Sequence, residues 1–171
     1  MIDPRRHADN RGAIESFLRS IPGFRGYLEK DYRQESDHLI RRWMADRLQL
    51  SKRALDASMT ALIEAGRIDQ LTAWERVKSR LDALIHRLRA AVRGYSGFFD
   101  FVQVNVDLLE RVYEHDMGLV QSVEKLAAAI EQTSGSADVS DTVTADWLRQ
   151  IDDIDRRFSQ RGEMLNGLSG T

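Results

Sequence analysis

The chain has 171 residues, 42% hydrophobic and 30% charged, with a formal net charge of −2 and no cysteine. Lack of cysteine excludes disulfides, thiolate metal sites and cysteine nucleophiles, and the near-neutral charge gives no global pull toward nucleic acid. Two prolines, Pro4 and Pro22, are too few for an all-β sandwich or barrel, which needs frequent Gly/Pro turns, and the length favours one domain.

The first ten residues are polar and no apolar secretory core follows them. No apolar run approaches the ~20 residues of a bilayer span, so the expected location is cytoplasmic. Ile14, Phe17, Leu18 and Ile21 then fall at helical spacing, with Asp9 or Asn10 as a cap and Ile21-Pro22-Gly23 as a stop. A long helix is expected from about Gly26 to Ala65. Its apolar stripe is Leu28, Tyr32, Leu39, Ile40, Trp43, Leu48, Leu55, Met59 and Leu62, and Gly66 is its natural end.

The next segment has the cleanest heptad rhythm. Trp74, Val77, Leu81, Leu84, Leu88, Ala91 and Tyr95 alternate spacings of three and four, with Thr72 and Glu75 as a capping box and Gly94 and Gly97 as the end. The same rhythm runs from about Phe98 to Gln132 through Phe99, Val102, Val106, Leu109, Tyr113, Val120, Val123, Ala127 and Ile130, with Val112, Leu119 and Leu126 beside it. Residues 133–142 are small and polar and read as a linker. A last helix carries Trp147, Ile151, Ile154, Phe158 and Leu165 on one face. Residues 1–8 and 166–171 read as flexible ends.

The expected fold is all-α: one domain, 1–171, built as an elongated antiparallel bundle of three long helices plus a short N-terminal and a C-terminal helix. Short connections at Gly66 and at Gly94–Gly97 predict that the three long helices are consecutive antiparallel neighbours, with the last helix returning as a fourth member. The short first helix is the natural cover for the lower part of the long one. Trp43, Leu81, Leu84, Leu88, Leu109, Val123 and Trp147 are the expected core.

Charge is uneven along the chain. Residues 1–53 carry 12 Lys+Arg against 8 Asp+Glu, residues 67–93 carry 7 against 3, and residues 94–171 carry 6 against 14. One reading is internal pairing between basic and acidic helices at their edges. The other is a dipolar surface that assembles head to tail or steers a charged partner. Basic residues are interleaved with acids rather than gathered into a strip, so no nucleic-acid partner is expected.

Chemical motifs are scarce. Glu35 and His38 have the Glu-x-x-His spacing of di-iron bundles, but no second copy exists. Asp82 and His86 at i, i+4 could hold a metal or form a surface pair. No Gly-x-Ser-x-Gly elbow and no Gly-rich phosphate loop occurs. The expectation is therefore a non-enzymatic protein with no cofactor and no metal. Two features stand out. Tyr27, Lys30, Arg33, Asp37 and Arg41 share one arc of the long helix, as a solvated ladder or as a partner-binding surface. Asp116 occupies an inward seam position beside His115, so it is read as a register-fixing ion pair with a neighbouring helix or as a titrating group in a bundle cavity.

Pro22-Gly23-x-x-Gly26-Tyr27-x-x-Lys30-x-x-Arg33-x-x-x-Asp37-x-x-x-Arg41, followed downstream by Gly94-Tyr95-x-Gly97-x-Phe99-Asp100, resembles a pattern in an uncharacterised bacterial helical-bundle family. The resemblance spans about residues 20–130 and implies no reaction. It points to the same arc and to the Gly94–Gly97 turn, where the length argument sets Asp100 level with Arg41 and Arg42. The expected partner-binding residues are thus Tyr27, Lys30, Arg33, Asp37, Arg41, Tyr95 and Asp100, and the expected function is an interaction or scaffold bundle that binds another protein or itself. The alternatives are peripheral binding to an anionic membrane surface through residues 10–24, with Phe17, Leu18, Ile21 and Phe24 inserted, and a ferritin-like metal bundle.

Overall fold

Apolar side chains spaced alternately three and four apart become the inner faces of four helices. The computed structural model describes residues 33–90 and 106–166, together with Arg19, residues 21–24 and Gly26. The helices are α1 (Arg33–Glu64), α2 (Leu71–Ala90), α3 (Val106–Gln132) and α4 (Asp141–Asn166), with a 3₁₀ turn, Ile68–Gln70, leading into α2. No strand occurs among the described residues. The chain is an all-α helical bundle. Of the expected first helix, only Arg19 and Ile21 fall within the described residues, and the Gly94–Gly97 turn lies outside them.

Each helix buries a heptad seam: Leu48, Leu55 and Leu62 on α1, Trp74 to Leu88 on α2, Leu109 to Ile130 on α3 and Trp147 to Leu165 on α4. Six of the seven expected core residues are buried, and Trp43 is half-buried against the core edge. Trp74 and Trp147 meet edge to face with centroids 5.5 Å apart, the preferred aromatic geometry.

The expected neighbour order needs correction. α1 packs on α2 and α3, and α4 packs on α2 and α3. The helix after α2 therefore occupies the corner diagonal to it, not the next one. Charged edges explain the choice. α2 is tied to α1 by Lys52–Asp82, Lys78–Asp56 and Arg89–Asp46, and to α4 by Arg80–Asp152 and Arg87–Asp155. α3 is tied to α1, where Arg47 donates to Glu124 at 2.7 Å and to Glu131 at 2.6 Å. The contacts also give direction: α1 and α3 run parallel, and α2 and α4 run against them. Basic α1 and α2 thus face acidic α3 and α4, and much of the charge asymmetry is neutralised across helix edges.

α1 ends at Gly66, whose φ of +72° is the left-handed conformation that favours glycine. Arg67 N–H reaches back to Leu62 at 2.9 Å and Gly66 N–H to Ile63 at 3.0 Å, the paired bonds of a Schellman motif. Thr72 lies within the first turn of α2 rather than capping it, so the expected capping box is replaced by the 3₁₀ lead-in. The connection read as a linker makes specific contacts: Ser58 Oγ donates to the Thr133 carbonyl at 2.6 Å, Arg67 donates to the Ala137 carbonyl at 2.6 Å, and Val139 is buried. At the other end, Ile21-Pro22-Gly23-Phe24 forms a turn closed by Phe24 N–H to the Ile21 carbonyl at 3.1 Å, with Gly23 at φ +84°. Proline second and a positive-φ glycine third is the type II pattern.

Candidate functional site

The same seams that bury leucines also bury four charges. Asp37 and Arg41 continue the α1 seam one heptad below Met44 and Leu48, Asp116 stands between Val112 and Leu119 on α3, and Arg161 between Phe158 and Leu165 on α4. Their relative exposures are 3%, 2%, 0% and 1%. Arg161 grips Asp116 with two bonds, Nε to Oδ1 at 2.6 Å and Nη2 to Oδ2 at 3.0 Å, and Nη2 also donates to Asp37 Oδ1. Arg41 takes the other Asp37 oxygen through Nη2 at 2.7 Å and Nε at 3.0 Å, and its Nη1 reaches the Leu88 carbonyl of α2 at 3.4 Å. Two carboxylates and two guanidiniums thus form a formally neutral network with atoms from all four helices. Burial of such charges is tolerated only when they are paired and hydrogen-bonded.

This arrangement corrects the surface reading of Asp37 and Arg41, which are core residues rather than part of an exposed ladder. Arg33 is helical, and its side chain, with Tyr27, Lys30, Tyr95 and Asp100, lies outside the described residues. Of the two arginines expected level with Asp100, Arg41 is held by Asp37 and the Leu88 carbonyl, while Arg42 is exposed and lies 3.7 Å from Asp46. Asp116 is inward as expected and paired with a neighbouring helix. Arg161 is the member that the sequence reading missed. Its signal was the gap at the heptad position between Phe158 and Leu165.

Beside Asp116, His115 is half-buried and neither ring nitrogen has a hydrogen-bond partner among the described residues. Burial pushes its pKa below the ordinary 6.5; Asp116 opposes that shift, and Arg157 and Arg161 add to it. Arg157 crosses from α4 to bond Ser122 Oγ at 2.8 Å. A Cβ on Gly118 would collide with its Nη2, so the helical glycine makes room for the guanidinium. The other histidines do less. Glu35 and His38 are exposed, as is His86, while Asp82 is engaged by Lys52. Among the described residues no group of three or more His, Asp or Glu is placed to hold a metal ion, and no described helix is long and apolar enough to cross a membrane.

At the opposite end of the bundle, Ile63 and Ile68 flank the Gly66 turn and are 56% and 65% exposed. Glu64 and Asp69 beside them are exposed, and the Asp138 carboxylate, 3.4 Å from Arg67, is fully exposed. Ile21 and Phe24, two of the four side chains of the membrane-surface alternative, lie on the bundle. Ile21 is buried, and Phe24 stacks with Tyr113 at 6.3 Å. Comparison with family models, curated proteins and solved structures finds no match.

Proposed function

We propose that the chain is a non-enzymatic interaction module whose partner is a protein presenting a basic amphipathic segment, received at the Ile63–Ile68 corner. The observation that carries this reading is the pair of exposed isoleucines held by a Schellman turn inside an acidic rim of Glu64, Asp69 and Asp138. A fixed turn keeps the apolar groups from folding back onto the bundle, so contact there orders little new chain. The rim selects against acidic partners and speeds the approach of basic ones. Two isoleucines expose far less than the roughly 800 Å² per partner of a standard interface, which favours a short segment over a second copy of the whole bundle. The core charges support the non-enzymatic reading, because Asp37 and Asp116 accept from guanidiniums rather than facing a substrate.

Fluorescence anisotropy with three labelled peptides of one apolar pattern, faced with Lys, Glu or Gln, tests the reading. The Lys peptide should bind in a salt-sensitive way, and the Ile63→Asp/Ile68→Asp variant should weaken it at least tenfold. Equal binding of all three peptides, or binding that the double substitution leaves unchanged, overturns it. Sedimentation as a dimer abolished by the same substitutions points instead to self-association, and flotation with anionic vesicles points to a membrane surface.

A further inference from the structure

Apolar seams hold helices together without saying where along each other they sit. Outside the charged positions the seams of all four helices are mostly apolar, so a slide of one heptad, about 10 Å at 1.5 Å per residue, again sets mostly apolar against apolar side chains. The Asp37, Arg41, Asp116 and Arg161 layer is different. A one-heptad slide of α4 takes Arg161 away from both carboxylates and, in one direction, brings Ile154 to their level, so that Asp116 loses both of its Arg161 bonds.

We infer that the buried quartet is the device that selects one register for the four helices. Its role is discrimination rather than attraction. Buried ion pairs contribute little net stability over hydrocarbon of the same size, whereas an unpaired buried charge is strongly unfavourable. Every slipped arrangement therefore carries a penalty that the native one lacks. Position strengthens the effect. The quartet lies toward the Arg33 end of α1, the Trp74–Trp147 contact lies toward the other, and no slide preserves both.

The cysteine-free chain makes the test direct. Arg80→Cys with Asp152→Cys reports the native α2–α4 register, since those side chains pair in the structure. Arg80→Cys with Ser159→Cys, or with Ala145→Cys, reports a slide of one heptad in either direction. With the quartet intact, only the native pair should cross-link under mild oxidation. In a background of Asp37→Leu, Arg41→Met, Asp116→Leu and Arg161→Met, the helix content should persist, a slipped pair should also cross-link, and amide NMR signals should broaden or double. Exclusive native cross-linking with a single set of signals in that background overturns the inference. Should the fourfold variant fail to fold, Asp116→Leu/Arg161→Met, which leaves Asp37 and Arg41 paired, takes the same test. Exclusive native cross-linking there, or loss of its fold as well, overturns the inference too.

Discussion

Replacing Asp116 by leucine removes two of the hydrogen bonds that Arg161 makes, those at 2.6 and 3.0 Å, while its bond to Asp37 remains. Among the described residues the buried layer then holds two guanidiniums and one carboxylate. Breaking a buried pair from one side costs about 3–5 kcal/mol, a large part of the roughly 5–15 kcal/mol that holds a domain folded. Arg161→Met should cost a similar amount, because Asp116, fully buried, loses its two-bond partner. The double variant should be milder than either single one, about 1–2 kcal/mol, since the Asp37–Arg41 bonds at 2.7 and 3.0 Å survive and the core is neutral again. Urea unfolding followed by far-UV circular dichroism gives the three values on one scale, with an unchanged m-value as the check on two-state behaviour. Independent sites add to within about 0.5 kcal/mol. If the double variant loses the sum of the singles, the pair is not a coupled unit and the reasoning fails.

Leu84→Ala removes a side chain that is 1% exposed in the α2 seam and should cost about 2–5 kcal/mol in the same assay; a loss under ~0.5 kcal/mol would mean that the seam carries little of the core. Gly66→Ala should cost about 1–2 kcal/mol, a purely conformational loss, because nothing lies within 4 Å of the added Cβ; Gly66→Asn should recover part of it. His115 favours its neutral form in the fold, so below pH 6.5 the unfolded chain takes up a proton more readily and stability falls as pH falls. His115→Gln should flatten the difference in urea midpoint between pH 7.5 and 5.5, and an identical difference in both proteins refutes the assignment. Glu131, held below its ordinary 4.5 by hydrogen bonds from Arg47, contributes stability that is lost as pH falls through its lowered value; Glu131→Gln should shrink that acid loss.

The helices and their inner faces were legible because alternating three-four spacing is a local property, and all of the α2 seam from Trp74 to Leu88 is buried where the pattern put it. The corners were not legible. Periodicity says which face turns inward and is silent on which neighbour it meets. Chain order suggested that α3 follows α2 around the bundle, whereas Arg47 with Glu124 and Glu131 draws α3 beside α1. The buried charges were half legible. Asp116 betrayed itself by interrupting aliphatic neighbours, but Arg41 and Asp37 share their arc with other charged residues and so passed for a solvated ladder. Reading the α1 seam backward from Leu62 through Ser58, Leu55, Ser51, Leu48 and Met44 leads in unbroken four-three steps to Arg41 and Asp37.

The polarity of the seams separates what holds the bundle from what orders it. On α1 the seam passes from charge at Asp37 and Arg41, through aliphatics interrupted by small hydroxyls at Ser51 and Ser58, to Leu62 beside the corner turn. Each hydroxyl is satisfied by a carbonyl, Leu48 for Ser51 at 2.8 Å and Thr133 for Ser58 at 2.6 Å, so these interruptions are nearly neutral and allow close helix approach. In the register reading, the charged layer adds a penalty to every slipped alignment. The cross-helix pairs at the edges work in the same direction more weakly, because most are half exposed and each contributes at most ~1 kcal/mol. With charge spent this way between helices, little remains to give the whole surface a single sign. Any attraction for a partner then depends on local groupings, and the acid-rimmed isoleucine corner is one whose backbone is already fixed.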